Sequence, residues 1–276
     1  MARPLRIEYP GAVYHITTRG NAGQAVFLDD HDRTAFLSTY AEVGSRMQWH
    51  CYAYCLMDNH YHLVIETPKP NLSKGMRQLN GVYTQRFNQS HNRSGHLFQG
   101  RYKAIVVERN RYLMDVCRHV VLNPVRMGLA RKAASWKWSS YRATAGLVEA
   151  PPWLETDWIL AQLSRQRSRA QRAYEHYVQQ GKGLSPWDDI RHQIYLGGDG
   201  FIKRMQAKPK LTIRKHRPAK SEMQKLTQLK RRAHDPKRAM AVAYLTGRYT
   251  LNEIAQQFDV HYSTVSRAVK DYEKRE

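Results

Sequence analysis

Two short segments carry residue types whose spacing suits phosphoryl chemistry. The first is His60-Tyr61-His62, preceded by Asn59 and followed by Leu63-Val64-Ile65. The apolar run reads as a strand, and on a strand residues i and i+2 point to the same side. Both imidazoles would then face one point, where they can share a divalent cation. Two imidazoles alone leave such a site incomplete, because metal-assisted phosphoryl chemistry needs a third ligand and open positions. The competing reading is a pair of polar residues on an exposed sheet face. The second segment is Arg118-His119-Val120-Val121-Leu122-Asn123-Pro124-Val125-Arg126-Met127-Gly128. His119 and Asn123 are four apart, so they share a helix face. Pro124 disfavours the helical conformation at Asn123, which is therefore expected at a helix end. There its amide is either presented to a ligand or spent as a C-terminal cap.

The elements needed to position these groups follow from periodicity. Ala12–Thr17 is rich in β-formers and ends at the turn signal Arg19-Gly20-Asn21. Asp30–Met47 has Phe36, Leu37, Tyr40 and Val43 at helical spacing. Trp49–Leu56 and His60–Glu66 flank the short polar turn Met57-Asp58-Asn59, which predicts a hairpin. Leu72–Asn88 reads as a helix, Asn88–Gly95 as a loop, Leu97–Val107 as extended, and Tyr112–Leu122 as a helix stopped near Pro124. Strands alternating with helices imply one α+β domain over residues 1–150. Residues 151–205 read as a mainly helical connecting region, with Trp153, Trp158 and Trp187 as packing anchors.

Charge then limits the partners. The 276 residues hold 45 Lys+Arg against 23 Asp+Glu, a net charge of +22, which implies a polyanionic partner. No apolar run reaches the roughly 20 residues that span a bilayer, and Met1–Arg6 carries no apolar signal stretch. Cys51, Cys55 and Cys117 are too few for a disulfide framework and lack zinc spacing. A soluble, reduced, cytoplasmic and nucleoid-associated protein is expected, with no membrane partner and the cysteines as core residues. Lys208–Arg238 holds twelve Lys/Arg, two acids and three prolines, so residues 206–238 read as a basic tether for sequence-independent phosphate contact. Residues 239–276 form a separate unit. Ala239–Leu245, Leu251–Phe258 (with Thr250 as N-cap) and Tyr262–Lys274 read as helices, the last two joined by Asp259-Val260-His261. Ile254, Ala255, Phe258 and Val265 would form the core of a helix-turn-helix. Tyr262, Ser263, Thr264, Ser266 and Arg267 would open its recognition helix, where base contacts usually arise, with Lys270 and Lys274 further along for phosphate. A helical pair used for protein contact is the alternative.

Several blocks occur in one order over residues 1–148. They are Arg3-Pro4-Leu5-Arg6, Tyr9–His15, Arg19-Gly20-Asn21, Phe27-Leu28, Met57–Leu63, Gly95–Tyr102, Leu122–Arg126 and Trp136–Arg142. This ordered set resembles the REP-associated tyrosine transposases, relatives of the HUH transposases of small bacterial insertion sequences. The resemblance implies an antiparallel sheet flanked by helices. It makes His60 and His62 ligands of Mg²⁺ or Mn²⁺, with Asn123 as the third. It also implies single-stranded hairpin DNA as substrate, cleaved by a helix-borne tyrosine that is left as a 5′-phosphotyrosine beside a free 3′-hydroxyl; the basic tether and the helix-turn-helix would hold nearby duplex. DNA contacts would fall on Arg3, Arg6, Arg19, Asn21, Gln99 and Arg126. The basic and aromatic interleaving adds Arg86, Arg101 and Lys103 as liners of a strand groove.

The sequence departs from the family at the nucleophile, where His119 occupies the tyrosine's position. Cleavage can therefore be read as lost, as transferred to Tyr112 about 10 Å up the same helix face, or as carried by His119 itself, since imidazole is a competent nucleophile; an introduced change at this position is a further reading. The leading expectation is metal-dependent nicking and strand transfer on hairpin DNA through a covalent 5′-phospho-enzyme. The alternative is a non-catalytic DNA-binding protein or regulator on the same scaffold. A replication or conjugative nicking enzyme would share the chemistry, and a small-molecule hydrolase fits the charge poorly. Monomer and homodimer are both left open.

Overall fold

The computed structural model describes residues 7–181, 183–191, 194–207, 226–230, 235–245, 249 and 251–273. Arg3, Arg6, Thr250, Lys274 and most of the basic tether lie outside the described residues, as does the side chain of Lys270. The chain divides into two compact units, residues 1–211 and 212–276.

The first unit is built on a six-stranded sheet of order β2-β3-β1-β4-β6-β5. The strands are β1 (Ala12–Arg19), β2 (His50–Leu56), β3 (His60–Thr67), β4 (Lys103–Val107), β5 (Ile190–Arg191) and β6 (Tyr195–Leu196). All neighbouring pairs are antiparallel except β4 with β6, which is parallel. Helices cover both faces, which explains why β2 and β3 read as almost continuous apolar runs. On one face Ala12, Tyr14, Ile16, Tyr61, Leu63 and Ile65 form a core with α1 (Asp30–Met47) and α2 (Leu72–Ser90). On the other, Val13, Val64 and Val107 pack with α3 (Arg109–Arg126) and α6 (Arg167–Gln180). Two short helices, α4 (Tyr141–Thr144) and α5 (Asp157–Ala161), lie between them in sequence, and α7 (Asp199–Ala207) follows β6. The three cysteines are free and buried, as core residues should be.

α1 begins where the side chain of Asp29 accepts from the Asp32 amide and ends at Gln48, which adopts a left-handed conformation. Both are ordinary helix signals. Two expectations need correction. α3 does not stop before Pro124 but runs through it to Arg126. Proline has no N–H for the carbonyl four residues back, and here the Asn123 side chain makes up the loss: its Nδ2 donates to the Val120 carbonyl at 3.3 Å and to the His119 carbonyl at 3.0 Å. Asn123 is thus inside the helix, neither at its end nor a C-terminal cap. Residues 151–205 carry short strands beside their helices. Ile190–Arg191 and Tyr195–Leu196 extend the sheet beside β4, a pairing of two-residue strands that leaves no local periodicity to read. The extended stretch expected over Leu97–Val107 narrows to β4, with only a bridge between Phe98 and Gly20 before it.

The second unit contains α8 (Pro236–Leu245), α9 (Leu251–Phe258) and α10 (Tyr262–Glu273). Ile254, Ala255, Phe258 and Val265 are buried together with Met240 and Ala243. Asp259, at φ 57, makes the turn between α9 and α10, and the Val260 amide closes on the Ala255 carbonyl.

Candidate metal and DNA-strand site

The turn before β3 is clamped from several sides. Arg33 of α1 pairs with Asp58, the Asp58 carbonyl accepts from the Val26 and Phe27 amides, and the Asn59 carbonyl accepts from the Gly20 amide. Gly20 is required there, because a Cβ would fall 2.0 Å from the Gln24 carbonyl oxygen. The clamp fixes how β3 starts, and with it His60 and His62, which project toward the α3 side of the sheet while Tyr61 points to α1 and α2.

Asn59 then orients His60. Its Nδ2 donates to the Gly23 carbonyl at 3.3 Å, so its Oδ1 is the acceptor facing His60 Nδ1 at 2.7 Å. His60 therefore carries its proton on Nδ1 and keeps a lone pair on Nε2. His62 Nδ1 lies 3.0 Å from Nε2 of His15 on β1. Thr17 is the direct cross-strand partner of His62, which makes His15 its diagonal neighbour on the same face. The His62 Nε2 atom is buried with no hydrogen-bond partner. The His60 and His62 rings stand 5.0 Å apart at 77°. Burial lowers the pKa of both imidazoles, with Arg19 adding to the effect at His60 and His15 at His62, so both are neutral near pH 7, the form that binds cations. Among the described residues no group of three or more His, Cys, Asp or Glu is suited to a metal ion. A cation here would depend on the two imidazoles and a ligand of another type. Asn123 has that chemistry, since its Nδ2 is spent on the helix and its Oδ1 is the atom an amide offers a cation. The orphaned Nε2 of His62 and the fixed tautomer of His60 fit a divalent ion.

His119 lies one turn before Asn123 and is buried. Arg126 Nη1 approaches its Nδ1 at 3.0 Å, and the Trp187 indole N–H donates to its Nε2 at 2.9 Å. Both neighbours are obligate donors, whereas a neutral imidazole has one lone pair. Burial, with the Arg126 charge, pushes the His119 pKa down to about 4. Trp187 also stacks on His15, with centroids 4.6 Å apart and planes at 27°. The residues around it form a strap along one face of α3. Tyr112, His119 and Arg126, at seven-residue intervals, meet Asp189 Oδ2, Trp187 Nε1 and the Leu184 carbonyl.

The remaining predicted residues fall into three groups. Arg19 pairs in register with His60, its carbonyl accepts from the Gln99 amide, and the neighbouring Asn21 amide donates to Leu97. Lys103 sits opposite Thr17 on β4. Arg101, Tyr102 and Lys103 line a cavity of about 770 Å³ that reaches His15, His62 and Trp187. Asn21 and Gln99 are thus tied in by backbone pairing, while Arg19, Arg101 and Lys103 gather around the histidines. Arg86 does not: its guanidinium bonds Thr39 and Glu42 of α1, and Phe87 beside it is core, so this pair braces two helices on the opposite face and lines no groove by the histidines. Tyr112 donates to Asp189 at 2.9 Å, and burial and that carboxylate raise its pKa, the reverse of what a substitute nucleophile needs. In the second unit, Tyr262, Ser266 and Arg267 are exposed and Ser263 and Thr264 half-buried at the start of α10. His261 sits at the start of that helix, where its Nδ1 accepts from the Ser263 amide at 3.4 Å and lies 2.8 Å from Ser263 Oγ.

Two participants went unrecognised in the sequence. His15 had a readable signal, since alternation along β1 puts it on the face of Val13 and Thr17. Trp187 had none beyond its size.

The model of the family described as IS200-like transposase matches residues 9–121. A REP-associated tyrosine transposase bound to a REP hairpin is 14% identical with a TM-score of 0.46, over 56% of this chain and 92% of that one. A putative transposase from Deinococcus radiodurans R1 is 17% identical with a TM-score of 0.31, over 41% and 93%. No curated protein matches the sequence. No described helix is long and apolar enough to cross a membrane.

Proposed function

We propose, with residues 9–121 matched by the model of the IS200-like transposase family, that the chain binds single-stranded hairpin DNA and nicks and rejoins it through a covalent 5′-phospho-enzyme, with His119 in the nucleophile's place. The observation that carries this reading is that His60 and His62 share one sheet face, to which His119 of α3 is joined through Trp187 and His15, with the Nε2 atom of His62 left without a partner. His60, His62 and Asn123 would hold Mg²⁺ or Mn²⁺. Such an ion supplies Lewis-acid polarisation of the scissile phosphate. The chain's own residues do the rest. Arg101 and Lys103 offer charge to the strand backbone. Arg126 presents a guanidinium beside His119, where phosphate charge would gather. The lone pair of neutral His119 attacks phosphorus, the P–O3′ bond breaks, and the departing 3′-oxygen takes a proton from water. The phosphorus–nitrogen bond keeps the energy for a later 3′-hydroxyl to reverse the step. The tether and the α9–α10 pair, read as a helix-turn-helix, would hold nearby duplex and raise the local concentration of the hairpin.

A second reading, DNA binding without cleavage, is favoured by one specific observation. Trp187 and Arg126 both direct donors at His119, so its single lone pair is already engaged. A denaturing-gel nicking assay separates the two, using labelled hairpin DNA from the flanks of the protein's own gene with Mn²⁺ or EDTA. A metal-dependent covalent adduct on the native chain that disappears in His119→Gln and His60→Ala supports the first. Hairpin binding without an adduct, with cleavage appearing in His119→Tyr, establishes the second.

A further inference from the structure

His60 and His62 are held by different kinds of partner. His60 is fixed by an amide whose acceptor end is determined by its other bond. His62 faces a second imidazole, and an imidazole pair has two solutions. In one, His15 Nε2–H donates to His62 Nδ1, which leaves a proton on His62 Nε2 and closes that atom to a cation. In the other, His62 Nδ1–H donates to His15 Nε2, which leaves the His62 Nε2 lone pair bare and a proton on His15 Nδ1. The atoms at the two ends of this pair, His15 Nδ1 and His62 Nε2, are both buried without partners, so hydrogen bonding inside the protein does not choose between the solutions. A cation on His62 Nε2 does, because it accepts only the second.

We propose that His15 is the positioning residue for His62: it accepts the His62 Nδ1 proton, so that Nε2 is turned and kept bare toward a divalent ion. This rests on the reading of His60 and His62 as a cation site. In most metal sites a carboxylate, carbonyl or water performs this role; here a neutral ring performs it in a position with little room to move. His15 is 4% exposed, lies 5.2 Å from the His62 ring at 14°, and is stacked on its other neighbour, Trp187. Trp187 comes from residues beyond the family-matched segment and ties the same ring system to His119. Ligand orientation and the nucleophile position are thus linked through one indole.

The test uses the full chain stripped of metal and titrated with Mn²⁺, with free ion read by its electron paramagnetic resonance signal. His15→Leu removes the acceptor, and His15→Gln keeps an amide oxygen close to the place of Nε2. Wild type should bind, His15→Leu should bind about 10–100-fold more weakly, in the range found when such supporting partners are removed, and His15→Gln should recover most of that affinity. In a ¹⁵N-histidine sample saturated with diamagnetic Mg²⁺, long-range ¹⁵N–¹H correlations should show His62 protonated at Nδ1 and bare at Nε2. A proton on Nε2 overturns the proposal. So does equal Mn²⁺ affinity in wild type and His15→Leu, or an equal loss in His15→Leu and His15→Gln when both melt like wild type. If His15→Leu does not fold, the tautomer spectrum of the native chain decides alone. If the native chain binds no divalent ion while still binding hairpin DNA, it is the cation-site reading that falls.

Discussion

His119 is held neutral, and this has a measurable cost in acid. Its pKa is pushed from 6.5 down to about 4 by burial and by Arg126, while in the unfolded chain it titrates near 6.5. Between these values the unfolded state binds the extra proton and the folded state does not, so stability falls as pH falls through this window and levels off below about 4. The two-state linkage integral from pH 7 to pH 4 gives about 3 kcal/mol for this single group, at roughly 1.36 kcal/mol for each pH unit between the folded and unfolded values. All six tryptophans lie before residue 188, so tryptophan fluorescence reports the first unit alone. Urea unfolding followed this way in EDTA, on wild type and on His119→Gln, isolates the histidine's share, because carboxylates common to both cancel in the difference. The gap in unfolding free energy between wild type and variant should move by about 3 kcal/mol against wild type from pH 7 to pH 4. Parallel profiles would refute the claim that His119 is kept neutral by its surroundings. They would also reopen a role for it as a proton donor at working pH, which the neutral form excludes.

Other outcomes follow from the same geometry. Replacing Arg101 and Lys103 together with alanine should weaken single-strand binding and lower the salt slope by about 1.4, or roughly 0.7 for each phosphate no longer neutralised; Arg86→Ala should leave that slope unchanged and lower the melting temperature instead, since its guanidinium braces α1 against α2. Fluorescence anisotropy at several salt concentrations, with a thermal melt of each variant, checks both. Asn123→Ala should destabilise the first unit by about 1–3 kcal/mol because the Val120 carbonyl is deprived of its donor, and by less in a Pro124→Ala background, where the restored backbone N–H takes over. A double-mutant cycle in urea measures the coupling. Arg267→Ala should cost about 1–3 kcal/mol in binding duplex flanks if it touches a base edge, with affinity for the isolated hairpin unchanged; the same anisotropy assay on the two DNAs checks it.

What was legible in the sequence was what is set locally. α1 could be bounded from Asp30 to Met47 because its cap and its apolar spacing are both contained within that one stretch of chain. The His60/His62 face followed from strand alternation alone, and the buried residues of α9 and α10 followed from helical spacing. The errors share one physical origin: a distant or side-chain partner overrode a local rule. Pro124 reads as a stop because proline removes a backbone donor, and the helix continues because the residue before it supplies a side-chain donor to the same carbonyl. Arg86-Phe87 has the composition of a strand-binding stripe, yet which face it occupies is decided by Thr39 and Glu42 of α1, far back in the chain. Trp187 is the strongest case. It is 68 positions from His119 and beyond the segment that the family pattern covers, and its neighbours Ile190 and Arg191 reach the sheet only through two-residue strands. Nothing within its own stretch of chain distinguishes a packing tryptophan from one that engages His119. That engagement bears directly on whether the chain cleaves. A hydroxyl oxygen could accept from both Trp187 and Arg126, whereas a neutral imidazole satisfies only one. The donors around His119 are therefore better matched to an oxygen than to the ring that stands there.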